Sequence, residues 1–123
     1  MAVYTDVTVQ IADVNGATAI DLGTELTAVD APNGNKVASQ GGRVLVIFQT
    51  DAGGTLDVTF DSVPCPHGRE GDLGPISLVA SKLYVFGPFT PGLFNQVTGV
   101  DVGYLHIDYA NLVGVVKIAA ISL

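Results

Sequence analysis

Apolar and polar residues alternate along much of the chain, which is the pattern of a strand with one buried face. The segment Thr55–Phe60 alternates strictly, with Leu56, Val58 and Phe60 on one side, and Tyr104–Tyr109 alternates as well. A period of two places successive side chains on opposite faces of a strand. No window keeps the apolar spacing of a helix for three turns between recognisable caps. The pattern therefore predicts an all-β chain.

Two segments, Arg43–Gln49 and Val113–Ile121, are apolar on both faces, as central strands covered on two sides should be. The other predicted strands are Val3–Ile11, Ala17–Leu22, Glu25–Asp30, Ile76–Val79 and Leu83–Phe86, with turns at Asp13–Gly16, Ala31–Asn35 and Asp51–Gly54 and a surface loop over residues 61–74. Turn residues at these intervals predict a single-domain β-sandwich or jelly roll over residues 1–123. We expect about eight to nine short antiparallel strands.

The composition agrees with this prediction and excludes several classes of protein. A chain of 123 residues forms one domain, and 48% hydrophobic residues exclude disorder. The longest apolar stretch, Leu112–Leu123, is interrupted by Lys117 and falls short of the roughly 20 residues that span a membrane. No basic and apolar leader pattern opens the chain, so we expect no secretory signal. The single cysteine cannot form a disulfide within the chain.

The charge balance bears on the partners of the chain. Five Lys and Arg residues against twelve Asp and Glu residues give a net charge of −7. This small number of cations cannot neutralise many phosphates. We therefore do not expect nucleic acid or anionic membrane surfaces as partners.

No motif predicts catalysis or metal binding. Cys65 and His67 lie two residues apart in the predicted loop, but a nucleophile and its base need a third, orienting group, and the pair lacks the further ligands of a zinc site. Asp13 and Asn15 begin a calcium-loop spacing that stops after the second ligand. The acids are scattered singly over turns and strand faces, as on a solvated surface. We expect no enzyme activity and no cofactor.

The apolar content points to self-assembly. A domain of this size buries only about two thirds of its unfolded surface. Two strands are apolar on both faces, and further apolar side chains come from Phe86, Phe89, Leu93 and Phe94. One sandwich core does not easily bury this much apolar surface. We expect the surplus apolar surface to contact another subunit.

The stretch from Gly41 to Leu123 resembles a known class of protein. The features that carry the resemblance are GGRVLVIFQT, a Gly-Gly turn, TLDVTF, Tyr84–Phe89 (YVFGPF), Phe94-Asn95, a strand ending at Ile107-Asp-Tyr109, and the terminal VKIAAI. They are similar to small β-rich virion proteins that tailed bacteriophages encode near the major capsid gene. Members of this class are regarded as capsid decoration (cement) proteins.

The resemblance implies a cement protein that forms a homotrimer, binds the major capsid protein on the outside of the head shell, and stabilises the shell by bridging capsomers. It also implies synthesis in the cytoplasm of a host bacterium. The predicted contact residues, for subunit or capsid, are Pro88, Phe89, Leu93, Phe94, Asn95, Val115 and Ile118. The segment Gly87–Asn95 has a second interpretation, as a loop that closes one end of the sandwich. A tail or baseplate component and a carbohydrate-type ligand-binding module are the alternative functions.

Overall fold

The chain forms two five-stranded β-sheets packed face to face, as seen in a computed structural model that describes residues 4–11, 20–38, 43–61, 72–89, 94–96 and 101–122. The strands are β1 (Thr5–Val7), β2 (Val9–Ile11), β3 (Thr27–Ala28), β4 (Asn35–Ala38), β5 (Val44–Thr50), β6 (Thr55–Phe60), β7 (Leu73–Leu78), β8 (Leu83–Phe86), β9 (Tyr104–Val113) and β10 (Val116–Ser122). One helical turn, α1, spans Leu22–Glu25. The predicted all-β sandwich is confirmed.

Sheet A has the strand order β1-β4-β9-β6-β7, and sheet B has the order β2-β10-β5-β8, with β3 also paired to β10. Most neighbours are antiparallel, but β1 pairs with β4 and β2 pairs with β10 in parallel. The prediction of purely antiparallel strands is therefore wrong at these two places. The cause is the predicted strand Val3–Ile11, whose described part breaks at Thr8 so that one half joins each sheet.

The early part of the chain differs most from the prediction. Leu22–Glu25 forms a helical turn where strands were expected, because the Asp21 carboxylate caps it by accepting from the Gly23 N–H (3.1 Å) and the Thr24 hydroxyl (2.9 Å). The predicted turn at Ala31–Asn35 is present up to Gly34, which has a φ of 78°. The predicted turn at residues 13–16 lies outside the described residues.

The core lies between the sheets and is supplied by both of them. The inward side chains of β6 and β9 are buried as the alternation predicts. Phe48 of sheet B makes edge contacts with the rings of Phe60, Phe86 and Tyr109, at centroid distances of 6.4, 5.9 and 6.2 Å. The fully buried side chains are Val37, Val44, Val46, Phe48, Leu56, Val58, Phe60, Leu78, Leu105, Ile107, Val116 and Ile118.

Three turns meet at one end of the sandwich. The Asp51 N–H donates to the carbonyl of Val115 (3.2 Å), and the Ser81 N–H donates to the carbonyl of Asp51 (2.9 Å). Gly54 fits there because a Cβ at this position would lie 2.4 Å from the Val115 carbonyl oxygen. These contacts hold the start of β8 and the β9–β10 turn in fixed positions beside each other.

Candidate functional site

The structure divides the predicted contact residues into buried and exposed groups. Pro88 and Val115 are exposed, Phe94 is half-buried, and Asn95 is buried. Phe89 is only 4% exposed and Ile118 is 0% exposed. Leu93 lies outside the described residues, as do Cys65 and His67.

Phe89 and Ile118 pack inside their own chain. The Phe89 ring centroid lies 4.8 Å from that of Phe60 and 5.4 Å from that of Phe94. Ile118 is on the inward face of β10. The packing of Phe89 is what the alternative interpretation of its loop expects, and the predicted contact role of all seven residues stays a prediction.

The exposed apolar surface is concentrated on the segment Leu73–Phe86, which contains β7 at the edge of sheet A, β8 at the edge of sheet B and the short turn that connects them. Among the described residues eight large apolar side chains are exposed, and four of them belong to this segment. They are Leu73 (42% exposed), Val79 (50%), Leu83 (60%) and Val85 (58%), and together they define the β7–β8 edge. Single exposed apolar residues are ordinary, but a group on one edge marks a contact surface.

Strand β8 also has an open hydrogen-bonding side. The Thr50 N–H donates to the carbonyl of Lys82 (3.0 Å), so these two residues form a hydrogen-bonded pair. Such pairs recur at every second residue of an antiparallel ladder. Tyr84 and Phe86 therefore bond to β5, whereas the backbone N–H and C=O groups of Leu83 and Val85 point away from it. No described residue pairs with β8 on that side.

The two strands of this edge differ in their protection against strand pairing. Strand β7 contains Pro75, which has no N–H to donate, and its register with β6 shifts between Val58 and Phe60. Strand β8 has neither a proline nor a charge among its residues (LYVF). Native sandwiches usually blunt an edge strand with one of these devices. The open side of β8 is therefore suited to binding.

A shallow depression lies next to this edge. It has a volume of about 320 Å³ and is lined by Gln49, Thr50, Asp51, Val115 and Lys117. Gln49 pairs with Leu83 of β8, so the depression adjoins the exposed part of that strand. Val113 (60% exposed) and Val115 (46%) extend the apolar surface at this end of the sandwich.

A polar cluster lies on sheet A beside the pair of strands β6 and β9, around Asp61 and Asp108. The Tyr4 hydroxyl donates to Oδ1 of Asp108 (2.7 Å) and lies 3.4 Å from Oδ2 of Asp61. The Tyr4 ring stacks on the His106 imidazole, with centroids 3.9 Å apart and planes 12° apart. The sequence analysis did not predict this cluster, because its members lie far apart in the chain and only the β6–β9 register brings the two acids together.

A second set of charges adjoins the cluster through His106. Asp101 accepts from the Lys36 ammonium at 2.8 Å, and its other carboxylate oxygen lies 2.8 Å from Nε2 of His106. The Lys36 ammonium, as the hydrogen-bond donor to Asp101, lowers the pKa of that carboxyl. Asp101 in turn raises the pKa of Lys36. Lys36 also sits 4.9 Å from the centroid of the Tyr104 ring.

The two central carboxyl groups of the polar cluster are coupled. Burial raises the pKa of Asp61 to about 8, helped by its hydrogen bond to Asp108 and by the charges of Asp108 and Asp72. Burial, followed by the bond to Asp108, raises the pKa of Tyr4 well above its usual range. A carboxyl pair of this kind holds a proton near neutral pH because two close carboxylates repel each other. Through these bonds Tyr4, the residue before β1, connects that strand to the neighbouring strands β6 and β9.

No protein-family model, no curated protein and no solved structure matches this chain. Within the described ranges there is no group of three or more His, Cys, Asp or Glu side chains that could hold a metal ion. The same part of the chain contains no helix that is long and apolar enough to cross a membrane.

Proposed function

We propose that this chain is a structural protein of a tailed-bacteriophage virion, a decoration protein that binds the outside of the capsid and stabilises it by bridging capsomers. The observation that carries the proposal is the β7–β8 edge, where exposed apolar side chains coincide with an unpaired strand. Such a surface suits contact with other proteins. The resemblance of residues 41–123 to phage virion proteins favours the virion as the setting of that contact, with the shell itself or through a second copy of the chain.

The arrangement of the aromatic residues favours this proposal over a carbohydrate-type module. Sugar-binding surfaces present aromatic faces to solvent, and the chain has no tryptophan. Its four tyrosines are all engaged by the chain itself. Tyr4 stacks on His106, Tyr84 accepts from the Val79 N–H (3.0 Å), Tyr104 lies beside Lys36, and Tyr109 donates to Asn35 (2.8 Å).

The proposal predicts a measurable effect on phage particles. A protein that binds the assembled shell but not its dissociated subunits stabilises the shell by mass action. Particles that lack the protein should release their DNA at a lower temperature than complete particles. Adding the purified protein back should restore the higher temperature with saturable dose dependence.

A variant of the exposed edge tests which surface binds. Val85→Lys should weaken the add-back, whereas Val102→Lys should not, because Val102 is 53% exposed but does not belong to the β7–β8 edge. If the wild-type protein leaves particle stability unchanged and labels tails instead, a tail or baseplate component replaces the decoration protein. If it binds neither heads nor tails, the virion proposal is wrong.

A further inference from the structure

The open side of β8 has a hydrogen-bonding pattern that complements itself. Leu83 and Val85 each direct one N–H and one C=O away from β5, and their side chains are the most exposed in the strand. Suppose that β8 of a second copy lies antiparallel to β8 of the first, with the two Tyr84 residues opposite each other. Leu83 of each copy then lies opposite Val85 of the other copy. Each such pair exchanges two N–H···O=C bonds.

We propose that the β8 edge binds a second copy of this chain, strand β8 against strand β8, in an antiparallel two-fold pair. In this arrangement every outward backbone group of Leu83 and Val85 has a partner. The four exposed side chains of these residues form two cross-strand apolar pairs on one face. Sheet B then continues from one copy into the other without an edge.

The distribution of charge supports a copy of the same chain as the occupant. The chain has a net charge of −7, so two copies repel each other over most of their surfaces. The segment Leu73–Phe86 contains no acid and only one cation, Lys82. In the two-fold pair Lys82 lies opposite Phe86 of the other copy, and the two lysines are about 13 Å apart along the strands. That separation exceeds the screening length of about 8 Å at physiological salt.

The size of the contact limits its strength. A standard protein interface buries about 1,600 Å² in total, and a pair of four-residue strands supplies only part of this. Leu73 and Val79 add exposed apolar surface in the segment Leu73–Phe86. We therefore expect a reversible dimer that forms in the micromolar range rather than a permanent one. A two-fold dimer differs from the homotrimer that the phage resemblance implies, and the inference does not depend on the virion proposal.

Sedimentation velocity of the full chain, from low to high micromolar concentration, tests the proposal. We expect a monomer–dimer equilibrium. Val85→Lys should weaken the dimer by at least about tenfold, because each dimer would then place two lysine side chains opposite Leu83 in the apolar cross-strand pairs. The matched control Val102→Lys should leave the equilibrium unchanged. A thermal melt of each variant, expected near the wild-type temperature because both sites are exposed, separates loss of pairing from loss of fold.

Cysteine cross-linking tests the register. In a Cys65→Ser background, Leu83→Cys and Val85→Cys proteins mixed and oxidised should form a mixed disulfide dimer faster than either protein alone, because these two positions face each other. A Val102→Cys protein should cross-link slowly. A monomer at every concentration, a trimer, or a dimer insensitive to Val85→Lys would each overturn the proposal. A dimer that fails to bind particles would leave this inference standing and remove the proposed function.

Discussion

At the scale of single residues, the polar cluster shows what an alternating pattern leaves undetermined. The pattern in Tyr104–Tyr109 places Asp108 on the outward face of its strand, but nothing local to it predicts a neighbouring acid. Asp61 directly follows β6, and only the pairing of β6 with β9 brings the two carboxyl groups together. Tyr4 then reaches both from the start of β1. Such a cluster depends on tertiary register, which no window of sequence contains.

This cluster makes the stability of the fold depend on pH. The pKa of Asp61 is about 8 in the folded chain, far above its value when unfolded, so the folded state holds the extra proton. The stabilisation is complete below the unfolded pKa and is lost as the pH rises through about 8. The melting temperature should therefore fall between mildly acidic pH and pH 8. Asp61→Asn, which cannot ionise, should flatten this part of the profile.

Asp57 on β6, the strand that ends just before Asp61, provides the control for the pH profile. Asp57 is bonded to Asn111 and Ser77, which lower its pKa, so it contributes no change near pH 8. Asp57→Asn should therefore keep the wild-type slope between pH 6 and pH 8. The other groups that face Asp61 are Tyr4, Asp72 and Asp108. A wild-type melting temperature that stays level or rises over this range would contradict the role given to the carboxyl pair.

At the scale of elements, the sequence predicts strands well where the residues of a segment and the turns beside it already favour a strand. Thr55–Phe60 and Leu83–Phe86 match the observed strands residue for residue. The predictions fail where a capping side chain or a strand distant in the sequence determines the local structure. Asp21 caps a helical turn over Leu22–Glu25, and β4, whose first residues are Asn35 and Lys36, pairs with β1 on one side and β9 on the other.

The loop after β8 allows the two interpretations of Phe89, core closure and contact surface, to be distinguished by measurement. Phe89→Ala removes a ring that packs on Phe60 and Phe94, and truncating a buried phenylalanine costs about 3–5 kcal/mol of unfolding free energy. Leu83→Ala, at a side chain that is 60% exposed, should change the unfolding free energy by less than about 0.5 kcal/mol. Urea denaturation of both variants at low protein concentration decides the point. Equal and small losses would return Phe89 to the contact surface.

At the scale of the whole molecule, the charged groups and the exposed apolar side chains belong to different parts of the chain. The polar cluster and the charges beside it include Asp61, Asp101, Asp108, Lys36 and His106, whereas the segment Leu73–Phe86 has one lysine and four exposed apolar side chains. The alternation of apolar and polar residues predicted the fold class, and the composition agreed with it. Neither could predict the polar cluster, because it depends on how strands distant in the sequence pair.

The absence of acids from the segment Leu73–Phe86 predicts how the association of two copies depends on salt. Two copies that meet through a surface without acids gain no ion pairs from the contact, yet each carries a net charge of −7. Their long-range repulsion opposes association, and added salt screens it over a distance that shrinks from about 30 Å at 0.01 M to about 10 Å at 0.1 M. The dimer of the wild-type chain should therefore become tighter as sodium chloride is raised over this range. Sedimentation at fixed protein concentration measures the change, and the monomeric Val85→Lys variant shows any effect of salt on shape alone. A dimer that weakens with salt would mean that ion pairs hold it together, and its contact surface would then include the acidic side of the molecule rather than the β8 edge.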